Sequence, residues 1–302
     1  MKTLTIILLS IIAYIFSGCA VVDRGNFPQM VIGELSQSWK NSYDVIDTSK
    51  EDIGITKPPH SPIVERFEVR NGGCAGRDCG GRNGRNYGDR ERIELKEDYH
   101  QRNTYDGKEY WYTWDIYFPK DFKSVYPTHA TFGQFYAVTE VPYSVVEKQD
   151  ALYLRRPTVS GRDYSTLVKK GELRGKWHTF VLHIKWSSDP NIGFFEIWVD
   201  GELKYQKTER TYIGGTPYFK YGIYRAYISK YKTKHGGIGG VDFAEVKLPE
   251  YPTLDDWVKV IREAEARKCQ GFKKNDYIKL PTQVVYYSHV RRANTKEELW
   301  TK

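Results

Sequence analysis

Three short segments carry the side chains best suited to chemistry: Arg92-Ile93-Glu94-Leu95-Lys96, Gln134-Phe135-Tyr136 and Tyr218-Phe219-Lys220-Tyr221-Gly222-Ile223-Tyr224. Side chains alternate between the two faces of a strand, so residues two apart share a side. Read as strands, the segments point Arg92, Glu94 and Lys96 together while Ile93 and Leu95 enter a core. Gln134 goes with Tyr136, and Lys220 with Tyr224. Gly222 stands between the last two and leaves room for something to approach the sheet. A sheet face bearing Arg, Gln, Lys and Tyr suits an anionic, hydroxyl-rich ligand.

The elements that must hold such a face are also strands. Between Glu109 and Phe118 the residues Tyr110, Tyr112, Trp114, Ile116 and Phe118 fall on one side. Phe180, Leu182, Ile184 and Trp186 do the same further on. Phe194 to Val199, an Asp200-Gly201 turn and Glu202 to Gln206 read as a hairpin, because Asp-Gly tolerates the positive φ that a tight turn needs. Many short strands between Gly, Pro and Asp turns predict an all-β, two-sheet jelly-roll sandwich. The 302 residues suffice for one such domain with an appendage.

The boundaries expected are an export signal over 1–18, a tether and lead-in over 19–62, the sandwich over 63–249, and a C-terminal helix and tail over 250–302 packed outside it. Pro58, Pro59 and Pro62 break any helix in the lead-in. Thr253 and Asp256 form a candidate capping box, followed by Leu254, Trp257, Val258, Ile261 and Glu265 at helical spacing. Gln283 to Tyr287 reads as an extra strand in the tail.

Aromatic residues make up 15% of the chain, with 24 Tyr and 8 Trp, which excludes a disordered chain. Tyr and Trp stack on sugar faces and offer hydrogen bonds, although β-proteins favour aromatics in any case. The net charge of +8 attracts an acidic polymer, an anionic membrane surface or nucleic acid. No nucleic-acid motif appears and the basic residues are scattered, so nucleic acid is not the expected partner.

At the N-terminus Lys2 precedes an apolar run from Leu4 to Phe16, short for a membrane-spanning helix. Phe16-Ser17-Gly18-Cys19 follows, and small residues before a Cys resemble the bacterial lipobox, with Cys19 as the lipidated residue. A plain cleaved signal and an uncleaved anchor are the alternatives. Ala20 after the Cys favours the outer membrane, by analogy with Gram-negative sorting. The protein is thus expected to be an exported monomer, at the outer membrane, cell surface or periplasm, touching membrane only through its lipid. Export permits disulfides. Cys74 and Cys79 lie in a Gly-rich stretch able to close a small ring and stiffen the loop leading to Arg92, with Cys269 as another candidate partner. A zinc site lacks four ligands at suitable spacing.

On its three motifs the chain resembles the jelly-roll polysaccharide lyases: heparin lyase I, glucuronan lyase and the related alginate lyases. The alginate lyases carry Arg-x-Glu-Leu-Arg, Gln-[Ile/Val]-His and Tyr-Phe-Lys-Ala-Gly-x-Tyr strands in the same order. Lys176-Trp177-His178-Thr179-Phe180 and Glu196-Ile197-Trp198-Val199-Asp200-Gly201 resemble the heparin lyase I and glucuronan lyase branch. The likeness runs from about Phe67 to Val246.

The resemblance implies β-elimination on a uronic acid, with glucuronan, alginate or a heparin-like polymer as substrate. The carboxylate must be neutralised, the proton at C5 removed and O4 protonated. Arg92 offers a planar fork to a carboxylate, and Gln134 an amide N–H. Tyr224 matches the family's catalytic Tyr, with Lys220 and Arg92 expected to lower its pKa. Lys220, Glu94, Lys96 and His129 are the expected substrate-binding residues, His129 reaching in from a loop. Each has a structural reading too: Arg92 paired with Glu94 or Glu91, Gln134 closing a backbone bond, Tyr224 packed on the sheet, Lys220 solvated.

One departure matters. Tyr136 stands where the relatives have His, the usual base or neutraliser. Tyr136 as base, Tyr136 as a sugar contact, and lost activity all remain open, as does a syn elimination in which Tyr224 serves as both base and acid. His178 and His183 sit in the Trp177 to Trp186 strand, where His183 faces away from Phe180 and Leu182 and could line the same groove. The branch is associated with Ca2+. Asp242 and Glu245 are candidate ligands, but no calcium-loop spacing appears and the sequence itself requires no cofactor. The competing functions are a non-catalytic, lectin-like lipoprotein that captures anionic glycans and a glycoside hydrolase. The second lacks the paired carboxylates its chemistry needs.

Overall fold

Two seven-stranded antiparallel sheets face each other in the computed structural model. It describes residues 22–27, 29–32, 42–74, 78, 89–137, 140–158, 161–235, 253, 255–256, 259 and 278–301. The first sheet runs β1 (Met30–Ile32), β4 (Arg90–Glu97), β13 (Tyr218–Ala226), β6 (His129–Ala137), β7 (Glu140–Lys148), β8 (Ala151–Thr158) and β9 (Gly161–Val168). The second runs β12 (Glu202–Thr208), β11 (Phe194–Val199), β10 (Trp177–Lys185), β5 (Glu109–Tyr117), β14 (Gln283–Ala293), β3 (Ile63–Val69) and β2 (Tyr43–Asp47). This is the all-β jelly-roll sandwich expected from the alternating pattern. A short helix, α1 (Ile228–Lys234), follows β13.

Alternation decides what lies between the sheets. Tyr110, Tyr112, Trp114, Ile116 and Phe118 are all buried, as are Phe180, Leu182, Ile184 and Trp186. Trp114 stacks on Phe180 at 5.0 Å within the second sheet and meets Phe219 of the first at 5.2 Å. The Asp200-Gly201 turn joins β11 to β12 with both residues at positive φ, 53° and 82°, the conformation that dipeptide was expected to supply.

The lead-in and the tail are more integral than their composition suggested. β2 pairs with β3, and β1 with β4. Ahead of β1, Arg24 donates to the buried Glu65 at 2.6 Å, and Tyr221 donates to the same carboxylate at 2.8 Å. Phe27 packs on Tyr112 and Phe219. The expected tail strand is β14, which extends to Ala293 and lies inside the second sheet between β5 and β3. Its apolar side chains Val285, Tyr287 and Val290 are fully buried, so it completes the core rather than lying against it.

Thr253 and Asp256 do form the expected capping box. The Thr253 hydroxyl donates to the Asp256 carboxylate at 2.7 Å, and the Asp256 N–H returns a bond to that hydroxyl at 3.2 Å. Leu254, Trp257, Val258, Ile261 and Glu265 lie outside the described residues. So do the segment 1–18, Cys19, Cys79, Cys269, Asp242 and Glu245, so the expected Cys74–Cys79 bridge and the lipid anchor concern residues not described. Among the described residues no helix is long and apolar enough to cross a membrane.

Candidate active site

The three motifs become β4, β6 and β13, adjacent in the order β4–β13–β6. The register sets Tyr224 opposite Arg92, and Lys220 opposite both Lys96 and Gln134. Ile93, Leu95, Phe135, Phe219 and Tyr221 go inward, so the polar partners share the outer face. Arg92, Gln134, Lys220 and Tyr224, expected together from the sequence, are brought together.

Glu94 is their hub. Gln134 Nε2 donates to its Oε1 at 2.6 Å, Lys220 Nζ to its Oε2 at 2.7 Å, and Arg92 Nη1 to Oε2 at 3.4 Å. Burial alone would raise the Glu94 pKa, but the charges of Lys220 and Arg92 and the two close hydrogen bonds hold it below the ordinary carboxylate range. Glu94 is only 2% exposed, its carboxylate taken up by these donors, where the sequence suggests a substrate contact. A buried anion would repel an acidic ligand; here it orients the donors that would receive one. Gln134 has a second N–H, and Lys220 two more, beyond those given to Glu94. Burial also holds the Lys220 pKa below its usual value, against the pull of Glu94.

Asp78 was not singled out in the sequence. It lies at 1% exposure and accepts from Arg92 Nη2 at 2.7 Å and from Arg92 Nε. The Arg92 fork is therefore clamped from behind by an acid within the Cys-bounded Gly-rich loop. The Arg92 backbone N–H also donates to the carbonyl of Gly73, at 2.9 Å. The structural reading of Arg92, an ion pair with Glu94, is thus realised alongside its place on the face.

The Tyr224 ring lies 4.5 Å from the Arg92 guanidinium. Its pKa nevertheless rises above that of a free phenol. Burial is the main cause, and Glu94 and Asp78 add to it against Arg92 and Arg90. The expectation that nearby cations would favour phenolate is corrected: two neighbouring carboxylates and burial outweigh them. Tyr224 is a protonated phenol at neutral pH, suited to giving a proton.

Gly222 also has a different reason from the one expected. Its φ is +125°, and a Cβ there would sit 2.3 Å from the Ile93 carbonyl oxygen. The closely approaching group is the neighbouring strand, not a ligand. From below, Tyr287 of β14 donates to the Gly222 carbonyl at 2.9 Å.

Tyr136 lies opposite Tyr218, its ring 5.6 Å from that ring, and Arg102 covers Tyr218 at 3.3 Å. Tyr218 and Tyr224 are six residues apart on one strand, on the order of 20 Å at ordinary strand rise. Tyr136 therefore sits toward the opposite end of β13 from Tyr224, beside Tyr218. Lys96, opposite Lys220, extends the row toward β1.

His129 opens β6 rather than a loop. Burial, with Lys230, Arg155 and Lys148 nearby, pushes its pKa down to about 3, so it is neutral at physiological pH. His178 and His183 leave the face entirely. His178 is buried against Asp200 and two carbonyls, and His183 lies on the outer side of the second sheet between Glu109 and Glu196. Alternation gave the sign of the face but not which sheet would own it.

Arg155 was missed as well. Strand registers run from Lys220 through Gln134, Ser144 and Arg155 to Tyr164, one polar row across the sheet. The Arg155 Nε is buried without a hydrogen-bond partner among the described residues. Its only sequence signal was alternation within 151–158, weak beside three full motifs. Among the described residues no three His, Cys, Asp or Glu side chains are placed to hold a metal ion. No fit for calcium is found among them.

Several solved structures align with this chain at low similarity. A glucuronan lyase from the fungus Trichoderma reesei is 17% identical, covering 94% of both chains at a TM-score of 0.48. An alginate lyase of polysaccharide lyase family 7 is 12% identical, covering 76% of both chains at 0.41. An alginate lyase from Alteromonas sp. 272 is 11% identical, covering 83% of this chain and 93% of its own at 0.41. At these values the likenesses bear on neither substrate nor mechanism. Comparison with curated proteins gave no match. A family model described as polysaccharide lyase matches residues 61–241, more than half of the chain and all three motif strands. The chain therefore belongs to the polysaccharide lyase family.

Proposed function

We propose that this lyase cleaves an acidic, uronate-containing polysaccharide by β-elimination on the outer face of β4, β13 and β6. The observation that carries this is the convergence of Arg92, Gln134 and Lys220 on the single carboxylate of Glu94, beside the protonated Tyr224. The remaining N–H groups of Gln134 and Lys220, with Arg155 in the same row, form the pocket for the uronate carboxylate. Oriented donors on developing charge lower the barrier most when fixed in advance, and Glu94 and Asp78 fix them. Charge withdrawn from the carboxylate makes the C5 proton removable. Tyr224 protonates O4 as the C4–O4 bond breaks. His129 is neutral and free to accept the C5 proton, though its low pKa makes it a weak base; a Tyr224 phenolate, a minor species at neutral pH, is the other candidate and would make the elimination syn. The fungal neighbour's name makes glucuronan the first polymer to try, and alginate the second.

The test is a panel of glucuronan, alginate and heparin, followed by the ultraviolet absorbance of the new C4–C5 double bond. A rise with one polymer, lost in Tyr224→Phe while polymer binding persists, supports the reading. No rise across the panel overturns it, and binding without depolymerisation replaces it with a lectin-like role.

A further inference from the structure

We propose that the opposite side of the sandwich carries a second, non-catalytic cleft that binds an acidic sugar chain between Trp198 and Trp300. The inference shares a ligand class with the reading above but none of its residues. Thr179 and Val181 of β10 and Trp198 of β11 point away from the core, because Phe180, Leu182, Ile197 and Val199 between them are buried. His60, from the lead-in, and Lys296 and Trp300, from the chain after β14, stand over this face. Together they enclose a cleft of about 420 Å³.

The rings are held in place rather than free. Trp198 stacks near Trp111 at 5.9 Å, and Trp111 stacks on His183 at 3.9 Å. Trp300 stacks near His289 at 5.4 Å and lies 4.7 Å from His60, yet it stays 40% exposed. A large exposed aromatic whose plane is fixed loses little freedom on receiving the C–H face of a pyranose.

The charges point one way. Lys296 is exposed, with Nζ 5.7 Å from the rings of both Trp111 and Trp198. His60 is anchored by Nδ1 to the fully buried Asp115 at 3.0 Å, and that hydrogen bond raises its pKa. The two carboxylates nearby are already engaged. Asp115 also accepts from the Thr179 hydroxyl at 2.7 Å, and Asp200 accepts from His178 and from the Thr179 N–H, each at 2.8 Å. Lys296 faces the opening and His60 stands beside it, while Asp115 is buried and Asp200, 45% exposed in its side chain, is tied to His178 and Thr179; the free cation favours a uronate over a neutral sugar. The site would retain the polymer on one side of the molecule while the other side cuts.

Affinity electrophoresis in gels containing glucuronan or alginate, with hydroxyethyl cellulose as a neutral control, tests this. It is run with the full chain carrying Tyr224→Phe, so that the polymer is not consumed. Trp198→Ala should weaken retention about tenfold. Lys296→Glu, at an exposed position, should weaken it about threefold. In the otherwise unaltered protein, both should leave cleavage of short oligosaccharides unchanged. Parental retention in both variants overturns the proposal, and so does equal retention by the neutral polymer. Loss of retention in these variants from a protein that cleaves nothing sinks the lyase reading alone and leaves the cleft standing.

Discussion

Glu94 and Glu97 lie three residues apart on β4, and both are closed off from water, at 2% and 0% exposure. They behave in opposite ways. Glu94 receives Gln134, Lys220 and Arg92 and is held ionised below the ordinary carboxylate range. Glu97 receives the Phe219 N–H at 2.9 Å, and its nearest cation, Arg292, stands off at 3.7 Å. Burial pushes its pKa up to about 7, with Arg292 and the Phe219 N–H countering only part of the shift. Burial is common to both; the number and closeness of the donors decides the charge. The lyase face is therefore built around an anion that the fold stabilises, while the interior tolerates a carboxyl that is half protonated at neutrality.

The largest expected effect is on chemistry at the stabilised end. Tyr224→Phe should lower kcat by about 10²–10⁴, the usual contribution of a positioned proton donor. Polymer binding should survive, and turnover close to wild type would remove Tyr224 from the reaction. Glu94→Ala comes next. It leaves the buried Lys220 without its anion, so unfolding free energy should fall by about 3–5 kcal/mol in chemical denaturation, with activity lost as the donors scatter. A depressed carboxylate pKa contributes stability above its unfolded value and loses it as pH falls through the folded value. The variant should therefore also lose part of the wild-type sensitivity to acid.

Glu97→Gln probes the other end. With a folded pKa near 7 against an ordinary 4.5, the folded state keeps a proton that the unfolded state gives up. Rising pH across that window thus costs the wild type about 3 kcal/mol of stability. The Gln variant mimics the protonated form and should show a flatter profile between pH 5 and pH 8, roughly as measured by urea midpoints. An unchanged slope would mean that Glu97 is ionised throughout and that the contrast with Glu94 is false. The smallest effect is expected at Asp78→Asn. Asp78 helps to raise the Tyr224 pKa, so its neutralisation should move the alkaline limb of kcat/KM downward by up to about one pH unit. An upward shift would reverse the assignment of Tyr224 as proton donor.

Much of the fold was legible because it is written in alternation. Tyr110 to Phe118 and Phe180 to Trp186 each declared a buried side, and Asp200-Gly201 declared its turn. The same rule put Arg92, Gln134 and Tyr224 on one face. It could not say that Glu94 would lie beneath its neighbours as a hub, since the burial of a polar residue depends on strands far off in sequence. Nor could it say that His183 belongs to the other sheet, because period two gives a side without naming the sheet. Asp78 was hidden for another reason: a Gly-rich loop has no periodicity, so nothing local points its carboxylate at Arg92. Tyr136, whose motif position left a base, a sugar contact and lost activity all open, lies beside Tyr218, a neighbour that motif position alone did not reveal.

β14 has a consequence for how the molecule is made. Until residues 283–293 arrive, β3 and β5 each expose a row of unpaired backbone groups, and such edges recruit other chains. Any nascent or truncated form stopping short of Gln283 thus carries two sticky margins and lacks the phenol of Tyr287 that props Gly222. Catalytic competence and protection from aggregation are reached together, and only when the last strand slots home.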